Sequence, residues 1–388
     1  MRARTYYIIY KNEMKWIITY MTLGLLLCTA CSDDSDTLEE QKPALTTLTV
    51  IPYYSSFFEV NEIPTRALPT GYKPFSELYP TSTPNHTSIG LILTPNHTSV
   101  EANTIRYINN KWTGTLDIAN EEQYYIYGFM PSEDAAGATV VSKNGTGGPD
   151  FANGATLTIN GLSTLTPADV CVVVGVKKSD TPTNISELAD FKLGQFGYWG
   201  SSTDNYVFLL LKHLYAGLHF KAHIDTEYAK LREIRVKEMK LKTTEEIATR
   251  INLTVPLTAN NTGADPVGTL SYADDSNTTG YAEITLFPYE GGPEEYSLPV
   301  ETPQNFLSCF APGKCKKFMI ITKYDVYDRK GNKIREDCIA ENQINTAGYY
   351  GIDDLEAGDI YTIDLKVQPT YLYVLSEPDL DNPTFVIE

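Results

Sequence analysis

The residues of this chain best placed to do chemistry are a cysteine near its start, one arginine, a group of histidines and four later cysteines. Cys31 ends the run Leu27-Cys28-Thr29-Ala30-Cys31. A cysteine that follows an apolar stretch and two small residues is the arrangement a lipoprotein signal peptidase accepts, with diacylglycerol carried on the sulfur. The usual leucine three places before the cysteine stands one place early here, and Cys28 is the poorer candidate because it would put Leu27 at the cleavage position. Arg66 lies in Ile63-Pro64-Thr65-Arg66-Ala67-Leu68-Pro69. Pro64 and Pro69 keep this segment extended and outside any ladder, where a protease can reach the Arg66-Ala67 bond. An ordinary linker arginine explains the same residue as well.

The remaining constellations weigh less. On a strand His219, Lys221 and His223 share one face, with His213 close in sequence. A zinc site wants a further ligand and no lysine between, so structural roles are expected for all three histidines. Asp379 and Asp381 in EPDLDN lack the glycine and distal glutamate of a calcium loop, and a surface turn is expected there. Cys309 and Cys315 flank the turn Ala311-Pro312-Gly313, and Cys338 faces Cys315 across an expected hairpin, so one or two bridges are open to an exported chain. Buried free thiols in strands account equally for these three and for Cys171, and none of the four has a CxxC partner. No GxSxG, HExxH, phosphate-binding loop or dinucleotide fingerprint is found. The expectation is a protein that is not an enzyme, with no cofactor and no metal site.

The elements that carry these residues follow from pattern. Trp16 to Leu27 is a twelve-residue apolar run, too short for the roughly 20 helical residues that span a bilayer. Residues 1–31 therefore read as a signal peptide, and a start at Met14 gives a more ordinary one than the long tyrosine-rich lead. Residues 32–44, opening Ser32-Asp33-Asp34-Ser35-Asp36, read as a flexible acidic tether. Residues 1–31 hold four basic residues and one acidic one, so their removal takes the net charge from −18 to −21. Such a charge argues against nucleic-acid and anionic-membrane binding, both of which need basic faces.

About 357 residues remain, more than one hydrophobic core usually serves, so two domains are expected. Many short β-rich segments, punctuated by turn residues, point to an all-β sandwich fold. Strands are expected at 46–60 (broken by Pro52), 87–94, 104–108, 123–129, 155–160 and 170–177. The second half supplies 206–211, 216–224, 231–242, 250–257, 281–287, 316–327, 333–339, 359–367 and 370–375. Asp328-Arg329-Lys330-Gly331-Asn332 is a hairpin turn, and Thr226 to Leu231 one helical turn. The small polar run Gly200-Ser201-Ser202-Thr203-Asp204 sets the domain boundary, giving 45–203 and 204–388.

Four features stand in the order found in the fimbrillin family of Bacteroidales, the subunits and relatives of lipoprotein-derived pili, and the chain resembles that family on them. They are Thr65-Arg66-Ala67 after the first strand, and Trp112 followed by Tyr124-Tyr125-Ile126-Tyr127-Gly128-Phe129-Met130-Pro131. Lys212-His213-Leu214-Tyr215-Ala216-Gly217-Leu218-His219-Phe220 comes next, and Leu355-Glu356-Ala357-Gly358-Asp359-Ile360-Tyr361 leads into the last strand and tail. The acidic run after Cys31 likewise resembles the Bacteroidales signal for transfer to the outer leaflet. The resemblance implies two tandem transthyretin-like Greek-key β-sandwich domains and a place at the cell surface, on the outer membrane through lipid on Cys31. It also implies a cut after Arg66 that removes Cys31–Arg66 with a groove strand somewhere in Leu45–Val60. A neighbouring subunit's extended segment would then fill the groove by β-strand addition, the donor being the tail from Thr370. The implied partners are other fimbrillin subunits and host or bacterial surface ligands. The competing expectation is a surface glycan-binding lipoprotein with Trp112 or Trp199 as a stacking platform; core packing is the alternative role for both tryptophans.

Overall fold

The run Val207-Phe208-Leu209-Leu210-Leu211 has no polar alternation, the pattern of a strand covered on both faces. In the computed structural model, Tyr206–His213 is such a strand. Val207, Leu209 and Leu211 enter one core with Leu48, Ile89, Leu116 and Ile126, while Phe208 and Leu210 enter another with Tyr127, Leu157 and Leu253. The structure describes residues 44–55, 58–59, 72–74, 87–94, 101–108, 111–143, 150–182, 192–260, 262–288, 292–314, 316–345, 354–371 and 378–387. Cys31, the acidic tether, Arg66, Ala67 and Cys315 lie outside them.

The first sheet runs in the order Tyr72–Pro74, Leu45–Ser55, Tyr206–His213, Cys171–Ser179, Gln123–Met130, Thr87–Leu93, Glu101–Ile108, Lys111–Thr113. Thr115–Ala119 pairs with Leu45–Ser55, and Gly197–Trp199 with Gln123–Met130. One face packs on a second sheet, ordered Ser271–Asp274, Arg250–Thr258, Gly154–Ser163, Gly137–Ser142. A third sheet contains Leu165–Thr166, Gln304–Phe310, Ala216–Ile224, Asp359–Tyr371 and Phe58–Glu59, with Pro378–Ile387 alongside Asp359–Tyr371. It encloses a core with a fourth sheet of Glu283–Phe287, Arg232–Thr243, Lys317–Asp328 and Lys333–Asn345.

The chain is thus all-β, as expected, but the strands interleave across the boundary placed near 204. Tyr206–His213 bonds to Leu45–Ser55 and Cys171–Ser179, and Arg250–Thr258 to Gly154–Ser163. Conversely Leu165–Thr166 and Phe58–Glu59 join the third sheet. The polar run at 200–204 is a surface turn between two strands of one sheet, and composition does not distinguish such a turn from a linker. From Leu45 onward the chain forms one compact unit.

Pro52 does not break the first strand, which is continuous over Leu45–Ser55. The Thr49 N–H donates to Asn205 O at 2.9 Å, so the odd-numbered residues aim their N–H groups at Tyr206–His213 and Pro52 faces the other edge. There, Thr115–Ala119 ends opposite Thr49 and Tyr72–Pro74 begins opposite Tyr53. The donor that proline lacks falls in the gap between two partners.

Local readings hold where the chemistry is short-range. Asp225 caps Thr226–Ala229, accepting from Glu227 N and Tyr228 N. The 328–332 turn joins Lys317–Asp328 to Lys333–Asn345, with Asp328 Oδ1 accepting from Lys330 N and Asn332 N at 2.8 Å and Gly331 supplying φ +84°. Asp379 and Asp381 lie within the strand Pro378–Ile387; Asp379 pairs with Thr370, whereas Asp381 falls in the register irregularity between Asp379 and Pro383.

Candidate functional site

Three places in the structure carry features beyond packing. The first is the strand Leu45–Ser55. Thr49 to Tyr54 run parallel to Tyr206 to Leu211 on one side, while Leu45 to Thr49 pair antiparallel with Thr115 to Ala119 on the other. Leu48 and Val50 are 0% and 2% exposed and sit among Ile105, Leu116, Ile118 and Val207. Taking this strand out would bare an apolar trough and leave backbone groups unpaired on both neighbours. The Thr65-Arg66-Ala67 segment follows it in sequence, outside the described residues.

At the other end of the chain, Pro378–Ile387 pairs antiparallel with Asp359–Tyr371. Phe385 is buried against Tyr324, ring centroids 5.1 Å apart, and its carbonyl accepts from Asn342 Nδ2 at 2.6 Å. The tail thus completes its own sheet here, through both Pro378 and Pro383.

The second place is a cleft of about 720 Å³ beside Trp199. Gly197–Trp199 pairs with Gln123–Tyr125. Alternation sends Tyr198 into the core, where it is 2% exposed, and Trp199 outward, 52% exposed. Trp112, by contrast, packs against the core of the first sheet. Tyr125, Lys177, Lys178, Lys192, Gln123 and Asn260 line the cleft around Trp199, and the buried Phe196, stacked on Tyr127 at 4.8 Å, closes its base. Burial, then Asp150, raises the Tyr125 phenol above its usual range, so the ring enters the cleft as a neutral donor. Gly194 (φ +79°) shapes the wall: a Cβ there would meet Asn260 Nδ2 at 2.6 Å. Exposed aromatics beside amides and cations can stack a flat apolar ring face while hydrogen-bonding its edges.

The third is buried. His213 sits directly across from Cys171, and Asp169 stands two residues before Cys171, on the same side. All three side chains are within 1% of full burial. The Cys171 thiol donates to Asp169 Oδ2 at 3.1 Å and lies 3.5 Å from His213 Nδ1, and Asp169 Oδ2 also meets His213 Nδ1. Cys309, on the neighbouring third sheet, reaches Asp169 Oδ1 at 3.9 Å. Burial first, then the Asp169 charge, pushes both thiols well above the ordinary cysteine range.

The sequence brought Arg66 and Cys31 forward, and both lie outside the described residues. It grouped His213 with His219 and His223, but the fold separates them. His219 and His223 do share a half-buried face of Ala216–Ile224, as expected of a strand, with His219 Nε2 3.0 Å from Asn305 Oδ1. Cys171, Cys309 and Cys338 are free thiols. The Asp169 cluster was missed, and of the cleft the sequence brought forward only Trp199 as a stacking platform. Only register brings Asp169, His213 and Cys309 together, whereas the Asp169-x-Cys171 spacing was a readable signal.

No protein-family model and no curated protein matches this chain. Solved structures do. A Bacteroides fragilis protein provisionally assigned to cell adhesion is 9% identical, with 88% of this chain and 97% of that one aligned at a TM-score of 0.41. A Bacteroides uniformis protein with the same provisional assignment is 11% identical over 89% and 98%, TM-score 0.33. A fimbrial protein from Bacteroides vulgatus is 11% identical over 88% and 98%, TM-score 0.31.

Proposed function

We propose that this chain is a fimbrillin-like structural subunit of a cell-surface pilus, exported as a lipoprotein on Cys31 and assembled by protease-triggered β-strand exchange. The observation that carries the reading is the first strand: Leu48 and Val50 are buried between two hydrogen-bonded neighbours, upstream of a proline-flanked arginine. Cleavage after Arg66 turns Leu45–Ser55 into a strand held without a covalent link. Its loss exposes a trough whose unpaired backbone favours any extended segment of matching alternation. The Pro378–Ile387 tail is such a segment, now satisfied within its own chain. In this reading polymerisation exchanges that internal pairing for one on the next subunit. The names of the solved structures agree, and at TM-scores below 0.5 they add no weight.

The test is the N-terminal mass of the protein recovered from the outer surface of its native cells. A chain beginning at Ala67, running as a detergent-resistant ladder, is the expected result. A monomer still beginning at acylated Cys31 would overturn strand exchange.

A second reading, a surface glycan-binding lipoprotein, is favoured by the Trp199 cleft. The two readings meet if the subunit is also adhesive: the cleft lies on a different strand from the exchange trough, and its lysines suit an acidic sugar. Titration of indole fluorescence with acidic and neutral polysaccharides checks this. Saturable quenching that Trp199→Ala abolishes supports it, and no quenching by either class sinks it.

A further inference from the structure

We infer that Asp169, Cys171, His213 and Cys309 form a buried structural site for a borderline-soft divalent cation, zinc being the best match. The argument begins with cost. A carboxylate, an imidazole and two thiols are withdrawn from water in the middle of apolar strands, and polar groups taken so deep are expensive unless fully compensated. The strands that carry them place Val172, Val173, Leu211 and Phe310 in the adjoining cores.

Geometry then separates a metal site from an accidental cluster. Ligand atoms of Asp169, Cys171 and His213 all lie within 4.8 Å of one another. A tetrahedral zinc centre with bonds of about 2.0–2.3 Å has donor–donor edges of roughly 3.3–3.8 Å. The Cys171 Sγ to His213 Nδ1 edge is 3.5 Å and the Cys171 Sγ to Asp169 Oδ2 edge 3.1 Å. The Asp169–His213 contact is tighter and would open as an ion entered between them. Cys309 Sγ, 3.9 Å from the other carboxylate oxygen, stands outside this three-residue cluster and would have to move inward to supply the fourth donor.

The donor set selects the ion. Two sulfurs, one nitrogen and one oxygen match zinc, whereas magnesium and calcium ask for oxygen alone. Complete burial makes the site structural rather than catalytic, because no coordination position opens to a substrate. Binding replaces two S–H bonds by two metal–sulfur bonds, and both thiol protons leave to the buffer, with no change of oxidation state.

The placement gives the site a purpose. Cys171 and His213 belong to the first sheet, and Cys309 to the third. One ion would therefore tie the sheet that holds the exchangeable strand to the sheet that holds the tail.

The experiment uses the mature chain, purified under reductant without a metal-chelating tag, then loaded with zinc sulfate and dialysed. Elemental analysis is expected to give about one zinc per chain, and Cys171→Ser and Cys309→Ser to lower affinity at least ~10-fold. Should either variant fail to fold, cobalt substitution of the unaltered protein decides alone: a tetrahedral cobalt spectrum with a sulfur charge-transfer band is expected. Folded, reduced protein that holds neither zinc nor cobalt overturns the site. So does zinc whose retention both folded variants leave unchanged.

Discussion

The first and last described strands, Leu45–Ser55 and Pro378–Ile387, are both extended, yet the fold treats them differently. Leu45–Ser55 is inside its sheet, with Tyr206–His213 on one side and Thr115–Ala119 and Tyr72–Pro74 on the other. Pro378–Ile387 pairs with Asp359–Tyr371 on one side, and Phe385 anchors it through its ring on Tyr324 and its carbonyl on Asn342 Nδ2. An internal strand is supported by two ladders and by the core behind it; an edge strand has one ladder and fewer contacts to lose. In the proposed reading the first strand is the groove-filler and the last is the segment that would leave its own sheet as donor. Loss of the first would bare the trough it fills, whereas loss of the last would leave the other ladders of its sheet in place.

The strongest way to break that comparison is one substitution at a buried anchor of each strand. Leu48→Asp is expected to destabilise by more than about 4 kcal/mol, since it buries an unpaired carboxylate at a fully enclosed position. Phe385→Ala is expected to cost less, about 3 kcal/mol, and to leave the first two sheets folded. Urea unfolding followed by circular dichroism measures both. If Phe385→Ala unfolds the chain as completely as Leu48→Asp does, the tail is no more detachable than the first strand and the contrast fails.

Acid should sharpen the contrast through the second half. Burial raises the Asp325 carboxyl, but hydrogen bonds from Lys333, the Asp337 backbone and Lys237 outweigh it and hold the group below its usual range. A carboxylate depressed in the folded state contributes stability above its unfolded value, and that contribution is lost as pH falls through the lower folded one. The window therefore lies below about pH 4. Asp325 sits beside Tyr324, on the sheet against which the tail packs, while the buried side chains around Leu48 and Val50 are apolar and the carboxylate beside the first strand, Asp117, is exposed. Hydrogen exchange across pH 5 to 2.5 should show the tail strand opening before Leu45–Ser55 does. Asp325→Asn should flatten that pH dependence; simultaneous opening of both strands would contradict the account.

Legibility in the sequence followed the range of the interactions. Every expected strand from Thr87 to Asn345 has a counterpart, because alternation and turn residues act over a few positions; Asp225, Asp328 and Gly331 did what their types require. Glu101–Ile108 and Lys333–Asn345 ran longer than expected. Thr115–Ala119, Gly137–Ser142 and Gln304–Phe310 were overlooked: they are short or polar, and their strand character comes from neighbours. The boundary near 204 failed for the same reason. Its glycine and serines make a turn, and only the pairing of Tyr206–His213 with residues more than 150 positions away determines which sheet follows. Asp169 and His213, 44 positions apart, meet through a register that no local pattern encodes.

The smallest expected effect on stability tests the comparison most sharply. Arg66→Ala changes a residue that lies outside the described residues, in a proline-flanked segment of the sequence, and its unfolding midpoint is expected to match the parent chain within about 0.5 kcal/mol. What should change is the fate of the first strand. With Arg66 present, an arginine-specific protease should cut before Ala67, and Leu45–Ser55 should then be held by contacts alone. A strand held that way dissociates with a dependence on protein concentration that an intact chain lacks, so the cut protein should melt lower on dilution. The alanine variant should resist the cut, melt independently of concentration and form no ladder. If the cut chain were to melt at the same temperature at every dilution, Leu45–Ser55 would not be leaving its trough under those conditions, and strand exchange would lose its first step.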